Sequence, residues 1–479
     1  MNYFYRQIIL WLCLCIGICA SAQKDSAFNI QDLHPVTLSE SDTSIVMVGD
    51  IQINGNKRTK PYIILREVPF KQGDYLTKGQ LAGKLVLARQ QVMNTSLFVD
   101  VFVYVASIQG EIVFVNVLVK ERWYLFPLPY FKLIDRNFNQ WWVEQKRSFD
   151  RVDYGIKFMQ NNLSGRNDNL QVWLITGYNQ QIALRYEQPF ADKSLKRGFN
   201  IGVAYSRQHE LNYKSDYNKQ VFFKDEENFV RTYRRIDLSY LYRPAIKTRH
   251  SFRLAYISES VSDSIAHLNP DYFGKGRVKV SYPELSYSLQ YFNVDYNAYP
   301  NRGFMGDFTI TKRGFTPEMN MWNLEGHAIY TYPVFKKTQV QGQAAFSIRA
   351  PFDQPYYNTQ LFGYGALYMR GLEYYVVDGV IGGMLRGTLR QDVLSFKIKT
   401  SAKSKTHSVI PFRFLLKTYG DLGYAYTRDA GTSMLSNKLL HTYGFGLDIV
   451  TVYDIVLKFE YSFNQLGDKA LFFHTRSDF

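Results

Sequence analysis

The stretch "TQVQGQAAFSIRA", Thr338 to Ala350, sets Val340, Gly342, Ala344, Phe346 and Ile348 on one parity and Gln339, Gln341, Gln343, Ser347 and Arg349 on the other. Successive side chains of a β-strand point to opposite faces, so this is a strand with one apolar and one polar face. "QIALRYEQ" does the same on a smaller scale, with Ile182, Leu184 and Tyr186 opposed to Arg185 and Glu187. A row of glutamines opposite an unbroken apolar row suits a wall that is apolar outside and polar inside.

The pattern recurs in sixteen segments, starting near 123, 151, 169, 181, 198, 228, 249, 277, 303, 321, 338, 380, 411, 440, 454 and 469. An even number suits a closed bacterial barrel. From 122 to 479 the chain offers about 22 residues per strand and connection, against the roughly 10 that a tilted strand needs to cross a bilayer. Connections alternate: "VFKK" and "TVYD" are tight, whereas those around 212–227, 262–276 and 351–378 are long, as periplasmic turns and external loops would be. The 37 tyrosines and 35 phenylalanines fit the aromatic girdles of such a barrel. A soluble β-sandwich would also alternate, but its limited core rarely needs so many long aromatic strands backed by glutamine and charge.

The first residues, "MNYFYRQIILWLCLCIGICASAQ", combine Arg6, an apolar run from Ile8 to Ile18 and Ala20-Ser21-Ala22, the layout of a secretory signal over 1–22. The run is too short to span a bilayer as a helix. Ile18 stands where a lipoprotein signal before Cys19 would need a small residue. All three cysteines, Cys13, Cys15 and Cys19, fall inside this signal, so the mature chain can form neither a disulfide nor a thiolate metal site. The formal charge of +15 is spread over single residues rather than a basic cluster, which argues for a lipid surface or solvated lumen and against nucleic acid.

Residues 23–45 read as a flexible polar leader. From 46 to 121 the pattern changes: "VMVGDIQINGNKRT" is a strand ending in an Asn-Gly turn, "KPYIILREV" a short helix with Pro61 in its first turn, and "TKGQLAGKLVLARQQVMNT" a helix capped by Thr77. The strands "LFVDVFVYVAS" and "EIVFVNVLVKE" complete a small α+β domain with a three-strand sheet. Beyond Glu121 no helical pattern remains. The fold class is therefore mainly β, a 16-stranded antiparallel transmembrane β-barrel over 122–479 preceded by one small α+β domain.

In this order of parts the chain resembles the outer-membrane assembly and translocation superfamily that contains BamA, TamA and the two-partner-secretion transporters. The domain at 46–121 resembles a POTRA module in its "VGDIQINGNKRT" opening and "SLFVDVFVYV" strand, and "NNLSGRNDNLQV", 161–172, is similar to the family's turn after the second barrel strand. "MRGL", Met369 to Leu372, stands at the family's V-R-G-F/Y loop motif, with Met and Leu at its ends, and "GDLGYA", Gly420 to Ala425, at its D-x-G strand motif. The resemblance implies that the sixth external loop folds back into the barrel and sets Arg370 against a lumenal acid. Parity nominates the acid independently: with Phe412, Phe414, Leu416, Leu422 and Tyr424 outward, Arg413, Lys417, Tyr419, Asp421 and Gly423 face the lumen. The competing fate of a loop arginine is to snorkel at an interface. Gly371 lets the backbone pass close to the wall.

The first barrel strand, "RWYLFPLPYFKLI", places Pro127 and Pro129 two residues apart, so both remove donors from one edge. If that edge faces the last strand, which ends at Phe479, the closing seam is weak; if it faces the second strand, the seam gains nothing. Alternatively the prolines only end the linker.

The resemblance implies a non-enzymatic insertase or translocase in the bacterial outer membrane, with its POTRA domain in the periplasm. Its partners would be unfolded outer-membrane or exported client proteins and outer-membrane lipid, with accessory lipoproteins or periplasmic chaperones as further candidates. A dedicated secretion channel for one exported partner, or a passive pore, is the alternative. For a hydrolase, G-x-S-x-G, H-E-x-x-H and P-loop patterns are missing: "HELNY" lacks the second histidine, which leaves His209 as a solvated loop residue. The eight histidines are scattered singly, so neither a metal cluster nor a cofactor is expected.

Overall fold

The computed structural model describes residues 35–133, 152–365, 367–399 and 409–475; the signal segment 1–22 and Phe479 lie outside them. The N-terminal domain contains strands β1 (Ile45–Asn54), β2 (Tyr75–Thr77), β3 (Phe98–Gln109) and β4 (Ile112–Glu121) and helices α1 (Pro61–Leu65) and α2 (Lys78–Met93). Its sheet runs β2-β1-β4-β3, with β1 parallel to β4. Thr77 caps α2 by accepting from the Gln80 N–H, while the Gln80 side chain accepts from the Thr77 N–H. Leu81, Ala88 and Val92 on α2 pack with Val48, Val101, Val115 and Val117 into one core.

Two features depart from the sequence reading. The sheet has four strands rather than three, because the capping residue Thr77 must be extended (φ −72°, ψ 152°) and the residues before it pair with β1. From residue 35 to 45 the leader is tied down, while 23–34 lie outside the described residues. Val36 donates to the Val105 carbonyl at 3.0 Å, the Gly79 N–H donates to Asp42 O at 2.9 Å, and a Cβ on Gly79 would stand 2.2 Å from Glu40 O.

Among the described residues the rest of the chain builds one sixteen-stranded sheet from Leu125–Leu133 to Lys469–His474, each strand antiparallel to the next in it, and two small sheets in its connections, a hairpin of Glu210–Asp216 with Lys219–Lys224 and a pairing of Gln360–Phe362 with Val377–Asp378. Burial is inverted relative to a soluble protein. Val340 and Phe346 are exposed, whereas Gln341 and Ser347 on the same strand are each 2% exposed. Leu416, Leu422 and Tyr424 likewise face out, and Lys417, Tyr419 and Asp421 face in. The sheet curls back on itself: the Phe126 ring at its start lies 6.3 Å from Tyr453, in the turn before the fifteenth strand. One short helix, α3 (Asp263–Leu268), interrupts the all-β pattern in an external connection too brief for periodicity to register. His209 is not solvated as expected. It is 8% exposed, its Nδ1 lies 2.7 Å from Asp225 O, and its ring packs on Phe229.

The small domain docks on the turns at one end of the barrel. Arg243 reaches from the turn after the sixth strand (Arg231–Tyr242) to grip both oxygens of Glu67, at 2.7 and 2.8 Å. Arg66 donates to Leu195 O at 2.6 Å, and Lys60 N–H to Gly165 O at 2.9 Å. Arg122, at the domain junction, grips Asp454 at 2.7 and 3.1 Å. Burial pushes the Asp454 carboxyl up, but the hydrogen bond and charge of Arg122 outweigh it and hold the group below its ordinary value.

Glu67 is 1% exposed, and Arg66 Nη1 also reaches its Oε1 at 3.0 Å, so losing Arg243 strips the bidentate partner and the donor to Oε2 but leaves one cation, a loss of about 1–3 kcal/mol. In Arg243→Ala, spin labels on α2 and on the turn between the eighth (Lys279–Val294) and ninth (Gly303–Thr316) barrel strands should therefore give a broadened distance distribution where wild type gives a narrow one. An unchanged distribution would show that Arg122–Asp454 and the turn contacts hold the domain alone.

Candidate functional site

The connection from 351 to 380 enters the barrel and presents Met369-Arg370-Gly371-Leu372 to the inner wall. Arg370 is 6% exposed, and its partner Asp421, on the thirteenth strand (Val409–Tyr426), is 1% exposed. The guanidinium Nε donates to Asp421 Oδ2 at 3.0 Å and Nη2 donates to Oδ1, a bidentate fork, while the Arg370 backbone N–H donates to Oδ2 at 3.2 Å. Nη1 donates to Thr388 Oγ1 at 3.0 Å, and the guanidinium lies 4.0 Å from the centre of the Tyr419 ring. The arginine is thus satisfied on its edge and on one face, which a snorkelling arginine is not.

The other three residues of the tetrad make the approach possible. Gly371 has φ +87°, and a Cβ there would stand 3.0 Å from Ser462 Cβ and 3.3 Å from Phe463 O. Asn464 donates to the Gly371 carbonyl at 2.8 Å. Gly423 leaves the space that Met369 fills: a Cβ on Gly423 would lie 2.4 Å from the Met369 sulfur. Met369 and Leu372 are buried beside Leu361, Phe362, Met384 and Leu440. The flexible thioether at the tetrad's first position fits the shallow seat over glycine.

Around this clasp stands a charge network only partly visible in the sequence reading. Lys417 bridges Asp448 at 2.5 Å and Glu460 at 2.7 Å, and Arg386 Nε lies 3.6 Å from Asp421 Oδ2. Lys417 was legible by parity; Glu460, Arg386 and Thr388 were missed. The same parity rule on "VLKFEYSFN" puts Lys458, Glu460 and Ser462 on the inner face and could have found Glu460.

Hydrogen-bond alternation settles which edge the prolines face. Asn161 N–H donates to Tyr124 O, and these residues are opposite in the register that pairs Leu125 with Gln160. In an antiparallel ladder such pairs alternate, so 126, 128 and 130 bond the second strand, while 125, 127, 129 and 131 face away from it. Pro127 and Pro129 therefore withhold donors from the free edge, and among the described residues no ladder joins the first strand to the last.

A family model described as the Omp85 superfamily domain matches residues 162–373, and one for POTRA, described as a surface antigen variable number repeat, matches 46–122. The chain belongs to the Omp85 superfamily. No curated protein matches it in sequence. Among solved structures, BamA from Haemophilus ducreyi lacking POTRA domains 1–3 aligns over 89% of this chain and 83% of its own, at 13% identity and a TM-score of 0.49. CdiB from Acinetobacter baumannii aligns over 89% and 72%, at 12% identity and 0.45, and CdiB from Escherichia coli over 92% and 92%, at 10% and 0.46. Membership of Omp85 supports an outer-membrane insertase or translocase in the general sense and points to a POTRA domain on the periplasmic side.

If the clasp holds the loop, Arg370→Ala and Asp421→Ala should each leave a heat-modifiable barrel, expose the 351–378 loop to trypsin and impair client handling. The double variant should be little worse than either single. Additive effects, or two singles with wild-type trypsin resistance, would refute the coupling.

Proposed function

We propose that this protein inserts or exports client proteins by pairing them with the free edge of the first barrel strand, after capture on the POTRA sheet, and that it performs no chemical catalysis. The observation that carries this reading is the donor-poor edge at Pro127 and Pro129. Each missing ladder bond forfeits roughly 1 kcal/mol in water and more in lipid, where no solvent replaces it. A seam with fewer bonds than its neighbours is where the wall parts at least cost, and a client strand arriving there finds unpaired groups to bond.

The POTRA sheet offers a matching first stop. β3 is its long outer strand, and it already takes one extended segment, at the Val36–Val105 bridge. An edge that holds the protein's own leader by backbone bonds can hold an unfolded client in the same way. Dedicated export of one partner would use the same parts; depletion separates the two, since loss of a general insertase lowers many barrel proteins together.

The mature chain is free of cysteine, so pairs of cysteines can be placed between Leu125–Phe131 and Lys469–Phe473 without background. A disulfide across the seam should form and should block client assembly reversibly; normal activity with the seam quantitatively locked would exclude lateral pairing. Deleting 46–121 should abolish client assembly yet leave a heat-modifiable barrel, because among the described residues the two sheets share no ladder. Full activity of the isolated barrel would reject capture by the POTRA domain.

A further inference from the structure

Beside the clasp, three side chains from separate parts of the chain converge: Glu373 from the sixth loop, Glu460 from the fifteenth strand (Val456–Asn464) and His474 from the last. We propose that they form a binding site for a divalent transition-metal ion of the zinc class, with a fourth position for water. His474 Nε2 lies 3.3 Å from Glu373 Oε1 and 3.4 Å from Glu460 Oε2, and all three ligand atoms lie within 4.8 Å of one another. Bonds of 2.0–2.2 Å from zinc to nitrogen and oxygen, arranged tetrahedrally, put neighbouring ligands about 3.3 Å apart. The two histidine separations already have that span.

Each carboxylate is also aimed. Glu460 uses Oε1 on Lys417 at 2.7 Å, and its Oε2, on a side chain only 1% exposed overall, accepts no hydrogen bond among the described residues. Glu373 uses Oε2 on the Gly371 N–H at 2.7 Å, leaving Oε1 toward His474. One oxygen of each is fixed by a donor and the other points to the same spot, as the outer contacts of a metal ligand orient it. A buried carboxylate oxygen that faces a histidine nitrogen at 3.4 Å without a hydrogen bond is under-satisfied, and a cation there removes that cost. The neighbouring Arg370 at 3.9 Å from Glu460 Oε1 and Lys417 engage the far oxygen rather than the site.

Such an ion would tie the loop carrying the tetrad to the strand that borders the seam. The inference rests on this geometry and stands whether or not clients enter through the seam. The pattern is invisible in sequence because the ligands are 87 and 14 residues apart, with only one histidine.

The test uses the full-length mature protein, purified in detergent, stripped with a chelator and titrated with Zn²⁺. Wild type should bind one equivalent, lose about tenfold or more in affinity in His474→Ala and in Glu373→Gln, and melt at higher temperature with zinc while the variants do not. Co²⁺ in its place should give the absorption of a tetrahedral site in wild type only. Glu373→Gln keeps the Lys417–Glu460 pair, and heat modifiability confirms that each variant is folded. Failure of wild type to bind stoichiometrically, or equal binding by both variants, would reduce the triad to a histidine bonded by two carboxylates and overturn the proposal.

Discussion

The constraint on which this structure depends is that, within lipid, no backbone donor or acceptor can turn to water. Every N–H and C=O of the wall must find a partner on a neighbouring strand, and only a sheet that returns to its own beginning supplies one everywhere. That requirement drives the strand alternation, the even strand count and the inside-out burial of Gln341 and Ser347 against exposed Val340 and Phe346. It also bears on the free edge of the first strand, which among the described residues pairs with no other strand. Two prolines in four successive free-edge positions, Leu125 to Phe131, leave the first strand short of donors at the closing line.

Inside the wall the problem is reversed. A lumen lined by charge must pair that charge, and the sixth loop supplies part of the pairing. Arg370 and Asp421 are each buried, so the net stability of their fork is small while the loss of either partner is large. Such a pair acts as a specificity device: it gives the long loop one seat, and Gly371 and Gly423 make that seat deep enough to reach. The Lys417 bridge to Asp448 and Glu460 continues the same logic across three strands. At the opposite end, the Glu67–Arg243 fork gives the POTRA domain one seat on the turns.

Much of this was legible from residue order because strand parity is a strict rule. Once "TQVQGQAAFSIRA" had been phased, the same phase on "PFRFLLKTYGDLGYAY" separated Asp421 from Leu422 without any knowledge of contacts. Where parity failed to help, the reason is local. β2 is three residues long and α3 six, too short for any period to show. His209 looked solvated because its partners, Asp225 O and Phe229, come from the far side of a loop hairpin.

By itself the sequence determined the sheet, its strand count, the inward and outward faces, including that of Asp421, and the capped helix at Thr77, because each follows from periodicity or from a spacing within one segment; that Arg370 meets a lumenal acid was implied by the family resemblance. Tertiary structure alone decided which edge of the first strand carries the prolines, that Met369 sits over Gly423, that Glu67 is held by Arg243, and that Glu373, Glu460 and His474 meet. Those outcomes depend on register and on how the closed sheet brings distant segments within a few ångströms, and neither quantity is written in the order of residues along any one strand.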